Sequence, residues 1–127
     1  MSSKTIAQKM HIKAKQRFVL LNAPAGYAEQ LGELPDGVIV ETALGSQADI
    51  IQCFVASMRQ VEETLPALQA ALKPGGILWL TYPKLTSKLA GDLSRDGIWA
   101  YVSPRGFRPV AMIAVDEDWS AFGMKRT

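Results

Sequence analysis

Asn22, Tyr82, Lys84, Asp116 and Trp119 are the residues of this sequence best suited to hold a ligand. The Asn22 amide can donate and accept hydrogen bonds, Lys84 adds a full positive charge, and Trp119 offers a flat apolar face. That set suits a small anionic or polar ligand with an apolar part. Pro24 and Gly26 join it because they shape the turn in FVLLNAPAGY, and Glu41 joins it as an acid closing a short apolar run. Lys84 and Asp116 can pair, which is the mark of either a functional site or a structural ion pair. Plainer roles stand beside these. Three consecutive acids, Asp116 to Asp118, suit a hairpin turn. Glu41 suits a solvated edge, and Trp119 suits core packing as well as ligand stacking.

No catalytic residue is assigned. His11 is the only histidine, so a Ser–His–Asp or Cys–His arrangement has little support. Cys53, the only cysteine, sits inside the apolar run IIQCFV and reads as an inert buried thiol. One histidine and one buried cysteine do not supply a metal site.

The elements that must position these residues follow from the hydrophobic pattern. RFVLLN, ADIIQCFV and ILWLTYP are apolar runs of the kind that form fully buried strands. GVIVET is a shorter strand, and FRPVAMIAV and WSAFGMKR form a hairpin across DED. Short helices are expected over residues 4–11, over AGYAEQLG and over RDGIWAYVSP. The main helix starts at Ser57, with Gln60 completing a capping box. Val61, Leu65, Leu68 and Leu72 form its buried stripe, Pro66 should kink or divide it, and KPGG should end it sharply. KLTSKLAGDLS is polar and loop-like.

Buried strands alternating with helices predict a Rossmann-like three-layer α/β/α fold. Its sheet is six-stranded and mostly parallel, with a C-terminal antiparallel hairpin strand. Ligands of such sheets gather at the carboxyl ends of the strands. Those ends carry Asn22 to Gly26, Glu41, Val55 to Ser57, Tyr82 to Lys84, and Asp116 to Trp119.

A chain of 127 residues, 48% hydrophobic and 20% charged, reads as one soluble globular domain, residues 1–127. A net charge of +2 does not call for nucleic acid. Lys4, Lys9, Lys13, Lys15 and Arg17 cluster without an acid among them, as a solvated face or a contact for phosphate or an acidic partner. The cluster lacks the interleaved aromatics of single-strand binders. A lone cysteine suits a reducing compartment, and no long apolar run marks a signal peptide or membrane span, so a cytoplasmic location is expected. Exposed edge strands would let the chain pair with a second copy.

Phe18 to Gly26 resembles the first motif of class I S-adenosylmethionine-dependent methyltransferases. That motif places an acid in the strand and glycines at alternate positions beyond it. Here the acid's position holds Leu20, and the glycine positions hold Asn22, Pro24 and Gly26. ADIIQCFV followed by LPALQAALKPGGILWL looks like the fourth strand, helix and fifth strand of the same enzymes, and Glu41 falls where an acid holds ribose hydroxyls. Only seven residues separate Glu41 from Asp49. They span roughly 25 Å when extended, too little for the helices and strand that wall the adenine site in those enzymes. The second strand should therefore be short and at the sheet edge.

LNAPAGY, LGELPDGV, ALKPGGILWLTYPK and AVDEDWSAF resemble an uncharacterised family of short bacterial proteins, labelled a domain of unknown function, that look like trimmed methyltransferases. Lys84 and Trp119 match motif positions of that family, and it supplies no reaction to carry over. Loss of the cofactor motif beside an intact core pattern points to a non-catalytic or accessory domain that binds a small molecule or a protein partner. One alternative is a methyltransferase with an unusual cofactor site. The others are a small enzyme using the rim through Lys84 and Asp116 and, last, a nucleic-acid binder using the basic N-terminus. No cofactor is expected on the first reading; S-adenosylmethionine belongs to the first alternative and should bind weakly.

Overall fold

A computed structural model describes residues 4–45 and 47–127. Residues 1–3 and Ser46, inside the short link after Glu41, lie outside the described residues. The strands are β1 (Arg17–Leu21), β2 (Ile39–Glu41), β3 (Ala48–Phe54), β4 (Leu72–Pro83), β5 (Phe107–Ala114) and β6 (Trp119–Arg126). The helices are α1 (Ile6–Lys9), α2 (Tyr27–Gln30), α3 (Met58–Ala71) and α4 (Arg95–Val102). One sheet runs in the order β2-β1-β3-β4-β6-β5. β6 lies antiparallel between β4 and β5, and the other pairings are parallel. The architecture is the Rossmann-like one that the sequence predicts. β2 has three residues and forms one edge of the sheet, as the short link to β3 requires.

Each face of the sheet holds its own core. On one face α3 and α4 bury Val61, Leu65, Leu68, Ile98 and Val102 against Ile51, Leu78, Leu80 and Phe122. On the other, α1, α2 and the segment between α1 and β1 cover Phe18, Ile50, Phe54 and Trp79. Helices of four residues have little stability of their own. α1 is held by a capping box between Thr5 and Gln8. The Trp79 indole N–H donates to the Met10 carbonyl at 3.2 Å and ties this covering segment to the centre of the sheet.

Three local expectations are corrected. Pro66 does not divide α3, which runs unbroken over 14 residues. It sits exposed between buried Leu65 and Leu68, so the packed stripe holds the helix together across the missing N–H donor. The capping box at Ser57 is displaced. Ser57 accepts from the Gln60 N–H, but Gln60 turns its oxygen to the Ala56 N–H at 2.8 Å, and Asp92 takes the Met58 N–H at 2.9 Å. Lys73 to Gly76 do not lie outside the sheet. They form a bulge within β4: Ala48 pairs with Leu72 and Ile50 with Ile77. Leu72, buried as expected, opens that strand rather than closing the helix.

Candidate functional site

The expected site residues all lie at the carboxyl edge of the parallel strands, but the sheet separates them. Asn22 follows β1 directly. Its backbone is left-handed (φ 59°), as is that of Gly26 (φ 82°), so the turn is entered and left through the conformation that glycine adopts most easily. Asparagine is among the few other residues that visit this region readily, through local hydrogen bonding. The Asn22 amide donates a long hydrogen bond of 3.5 Å to the Phe54 carbonyl at the end of β3. A Cβ on Gly26 would meet nothing within 4 Å, and Asn22, Pro24 and Gly26 are all exposed.

Behind this turn lies an aromatic row. Tyr27 packs edge-on against Phe54 with ring centroids 4.7 Å apart, and Phe54 against Trp119 at 5.0 Å. Trp119 is thus half-buried against the α1/α2 face rather than free at the rim. The Tyr27 hydroxyl donates to Gln52 Oε1 at 2.9 Å, and Gln52 Nε2 donates to Thr81 Oγ1 at 3.0 Å. Gln52 and Thr81 are the buried polar residues of the core. This chain across β3 and β4 escaped the sequence reading, which took ADIIQCFV as apolar throughout.

Asp116 does not pair with Lys84. Its Oδ1 accepts the N–H groups of Asp118 and Trp119 at 2.8 and 3.0 Å, which closes the β5–β6 turn. Asp118 takes the contacts to the loop after β4: its carbonyl accepts the Lys84 N–H at 2.8 Å and its carboxylate the Ser87 hydroxyl at 2.7 Å. Glu41 pairs with Arg17 at 3.3 Å.

Tyr82 and Lys84 lie on the opposite face of the sheet, in a cleft of about 310 Å³ shared with Ser94, Arg95 and Ser120. Sequence reasoning missed Arg95, because its approach depends on how α4 docks. Burial raises the Tyr82 hydroxyl pKa above the ordinary tyrosine range, and the nearby Arg95 charge works against that rise. The rim therefore carries two candidate sites. One is the Asn22–Gly26 turn with Trp119 behind it, and the other is the Lys84–Arg95 cleft.

Burial also pushes the Tyr27 hydroxyl up to about 12 and the Cys53 thiol up to about 11. In both cases the folded protein holds the proton more tightly than the unfolded chain does. Stability is therefore full below about pH 9 and falls as pH rises through the folded values. Each rise is worth on the order of 3 kcal/mol at completion. Urea unfolding at about pH 8 and about pH 11 should show a loss of several kcal/mol, smaller in Tyr27→Phe. Superimposable curves at the two pH values would contradict this burial.

An open, mostly parallel sheet with one reversed strand before its last edge, and a left-handed turn after β1, make up a Rossmann-like fold. The solved structures it resembles agree. A S-adenosylmethionine-dependent methyltransferase from Thiobacillus denitrificans, in complex with S-adenosyl-L-homocysteine, matches with TM-score 0.64 at 16% identity, over 97% of this chain and 90% of its own. One from Aquifex aeolicus matches with TM-score 0.65 at 13% identity, over 94% and 87%. The Methanococcus jannaschii fibrillarin pre-rRNA processing protein matches with TM-score 0.61 at 14% identity, over 91% and 68%. At these identities the likeness is one of fold. No family model and no curated protein matches the chain.

Proposed function

We propose that this domain binds a sulfonium nucleoside of the S-adenosylmethionine type at the turn after β1, as a methyltransferase with an altered cofactor site. The left-handed pair Asn22 and Gly26 carries this reading, because it keeps the backbone shape that the motif's glycines provide. The open space at Gly26 adds to it, and so does the fold shared with methyltransferases. Such a ligand would supply an activated methyl group. The fit is partial. Pro24 lacks a backbone donor, Glu41 is engaged by Arg17, and β2 leaves no adjoining strand to wall a base. Binding should accordingly be weak.

Titration calorimetry with S-adenosylmethionine and S-adenosylhomocysteine tests the proposal. Saturable heat is expected for the wild type and for Asn22→Gly. Asn22→Ala should bind less well, because alanine resists the left-handed turn. Absence of heat with both nucleosides, at concentrations well above those in cells, rejects the methyltransferase reading.

A second reading, a non-catalytic domain for a small anionic ligand, is favoured by the cleft that brings Lys84 and Arg95 together beside Tyr82. Its signature is a thermal shift with a small dicarboxylate or sugar phosphate that Lys84→Ala abolishes and Asn22→Ala leaves intact.

A further inference from the structure

At the amino ends of the strands, opposite the rim, two clefts open side by side. One, of about 200 Å³, lies between His11, Lys13, Lys125 and the bulge at Pro74 to Gly76. The other, of about 370 Å³, lies among Lys15, Arg17, Ile39 and Lys73. Asp49 lines both. Five cations thus face one carboxylate in a chain whose formal net charge is +2, so this edge is more positive than the whole molecule.

Asp49 is already engaged. Its Oδ2 accepts the Arg17 backbone N–H at 2.8 Å, and its Oδ1 holds the Lys73 ammonium at 3.3 Å. Arg17 also pairs with Glu41. Lys13, Lys15 and Lys125 have no carboxylate partner among the described residues. The segment that carries the first two is held in a set shape. His11 and Lys15 are both left-handed, at φ 65° and 66°, a conformation uncommon outside glycine. The Lys15 N–H is bonded to the Asp36 carbonyl at 2.8 Å, and the Lys13 N–H to Gln16 Oε1 at 2.8 Å. These bonds fix where Lys13 and Lys15 stand relative to the clefts.

We infer that this edge binds a polyanion through its phosphate groups, more than one at a time. Lysine ammonium groups suit phosphate as compact point charges. Two adjoining clefts can take successive phosphates. No Phe, Tyr or Trp is among the residues lining them, so there is no platform for base stacking. The same phosphate chemistry is offered by a duplex nucleic-acid backbone and by a short inorganic polyphosphate.

Two titrations at low salt separate these sources: fluorescence anisotropy with a labelled mixed-sequence DNA duplex, and calorimetry with inorganic tripolyphosphate. At least one should bind, and binding should weaken steeply as salt is raised. Binding of the duplex alone assigns a nucleic-acid backbone; binding of tripolyphosphate alone assigns a small polyphosphate. Lys13→Glu with Lys125→Glu should weaken binding roughly tenfold or more, with thermal unfolding unchanged. Lys88→Glu, on the loop at the other end of the sheet, should bind as the wild type does. The inference is overturned if neither ligand binds, if binding ignores salt, or if Lys88→Glu weakens it equally. It is also overturned if poly-glutamate binds as tightly as the phosphates, since the site would then recognise charge alone.

Discussion

Gly123→Ala is expected to lower the stability of the domain by about 3 kcal/mol, the upper end of the usual cost of overpacking, at the centre of the sheet. Gly123 is directly opposite Trp79 in the β4–β6 pairing. A Cβ there would stand 2.5 Å from Trp79 Cζ3 and 2.7 Å from Cη2. The indole is fully buried, and its N–H is bonded to the Met10 carbonyl. It cannot swing aside without losing that bond and disturbing the cover of the α1/α2 face. The side chain that glycine lacks is thus the space that the indole fills. Urea unfolding measures the loss, and a double-mutant cycle with Trp79→Leu identifies its cause. Gly123→Ala should cost much less in the Trp79→Leu background. Equal costs in the two backgrounds would mean that backbone conformation, not the indole, requires the glycine.

Gln52→Leu is expected to cost about 2–4 kcal/mol, although it places an apolar residue of similar size in an apolar strand. The side chain of Gln52 joins the hydroxyls of Tyr27 and Thr81, and all three residues are buried. Leucine would leave both hydroxyls without their partner inside the core, each at the cost of its desolvation. Removing the whole chain should be milder than breaking it. The triple variant Tyr27→Phe, Gln52→Leu, Thr81→Val should recover most of the lost stability, as read from the urea midpoint at neutral pH. If the triple variant is as unstable as Gln52→Leu, packing volume rather than hydrogen bonding sets the identity of residue 52.

The architecture was legible because apolar runs at β1, β3 and β4 leave few alternatives to buried parallel strands, and because the seven-residue link before Asp49 forces β2 to the edge. What could not be read depended on contacts between distant segments. Ser57 and Gln60 carry a capping-box pattern, yet Asp92 from the next loop takes one of the helix donors, and Gln60 is displaced to Ala56. Pro66 signals a break that the packing of Leu65 and Leu68 overrides. At the rim, the positions of Asn22, Tyr82, Lys84 and Trp119 followed from strand ends, but their faces did not. A slip of one residue in strand parity decides on which side of the sheet a side chain falls. Asp116 and Lys84 looked like partners because both are charged and both end up at the rim. The turn claims the carboxylate first, through two backbone N–H groups in its own hairpin. Asn22 looked like a lost glycine because its type is visible in the sequence and its φ is not.

The bond from Trp79 to the Met10 carbonyl spans 69 positions of the chain. On a ribosome the residues of α1 and the basic segment after it emerge well before β3 and β4, two of the strands they cover. Their cover over the sheet cannot be completed until β4 has been synthesised, because its Trp79 supplies the anchoring bond, and such long-range contacts are slow to form. For that interval Lys13, Lys15 and Arg17, which line the amino-end clefts, lie on a positively charged segment that lacks this anchor. The part of the domain made early therefore waits for a late strand before the second core can close.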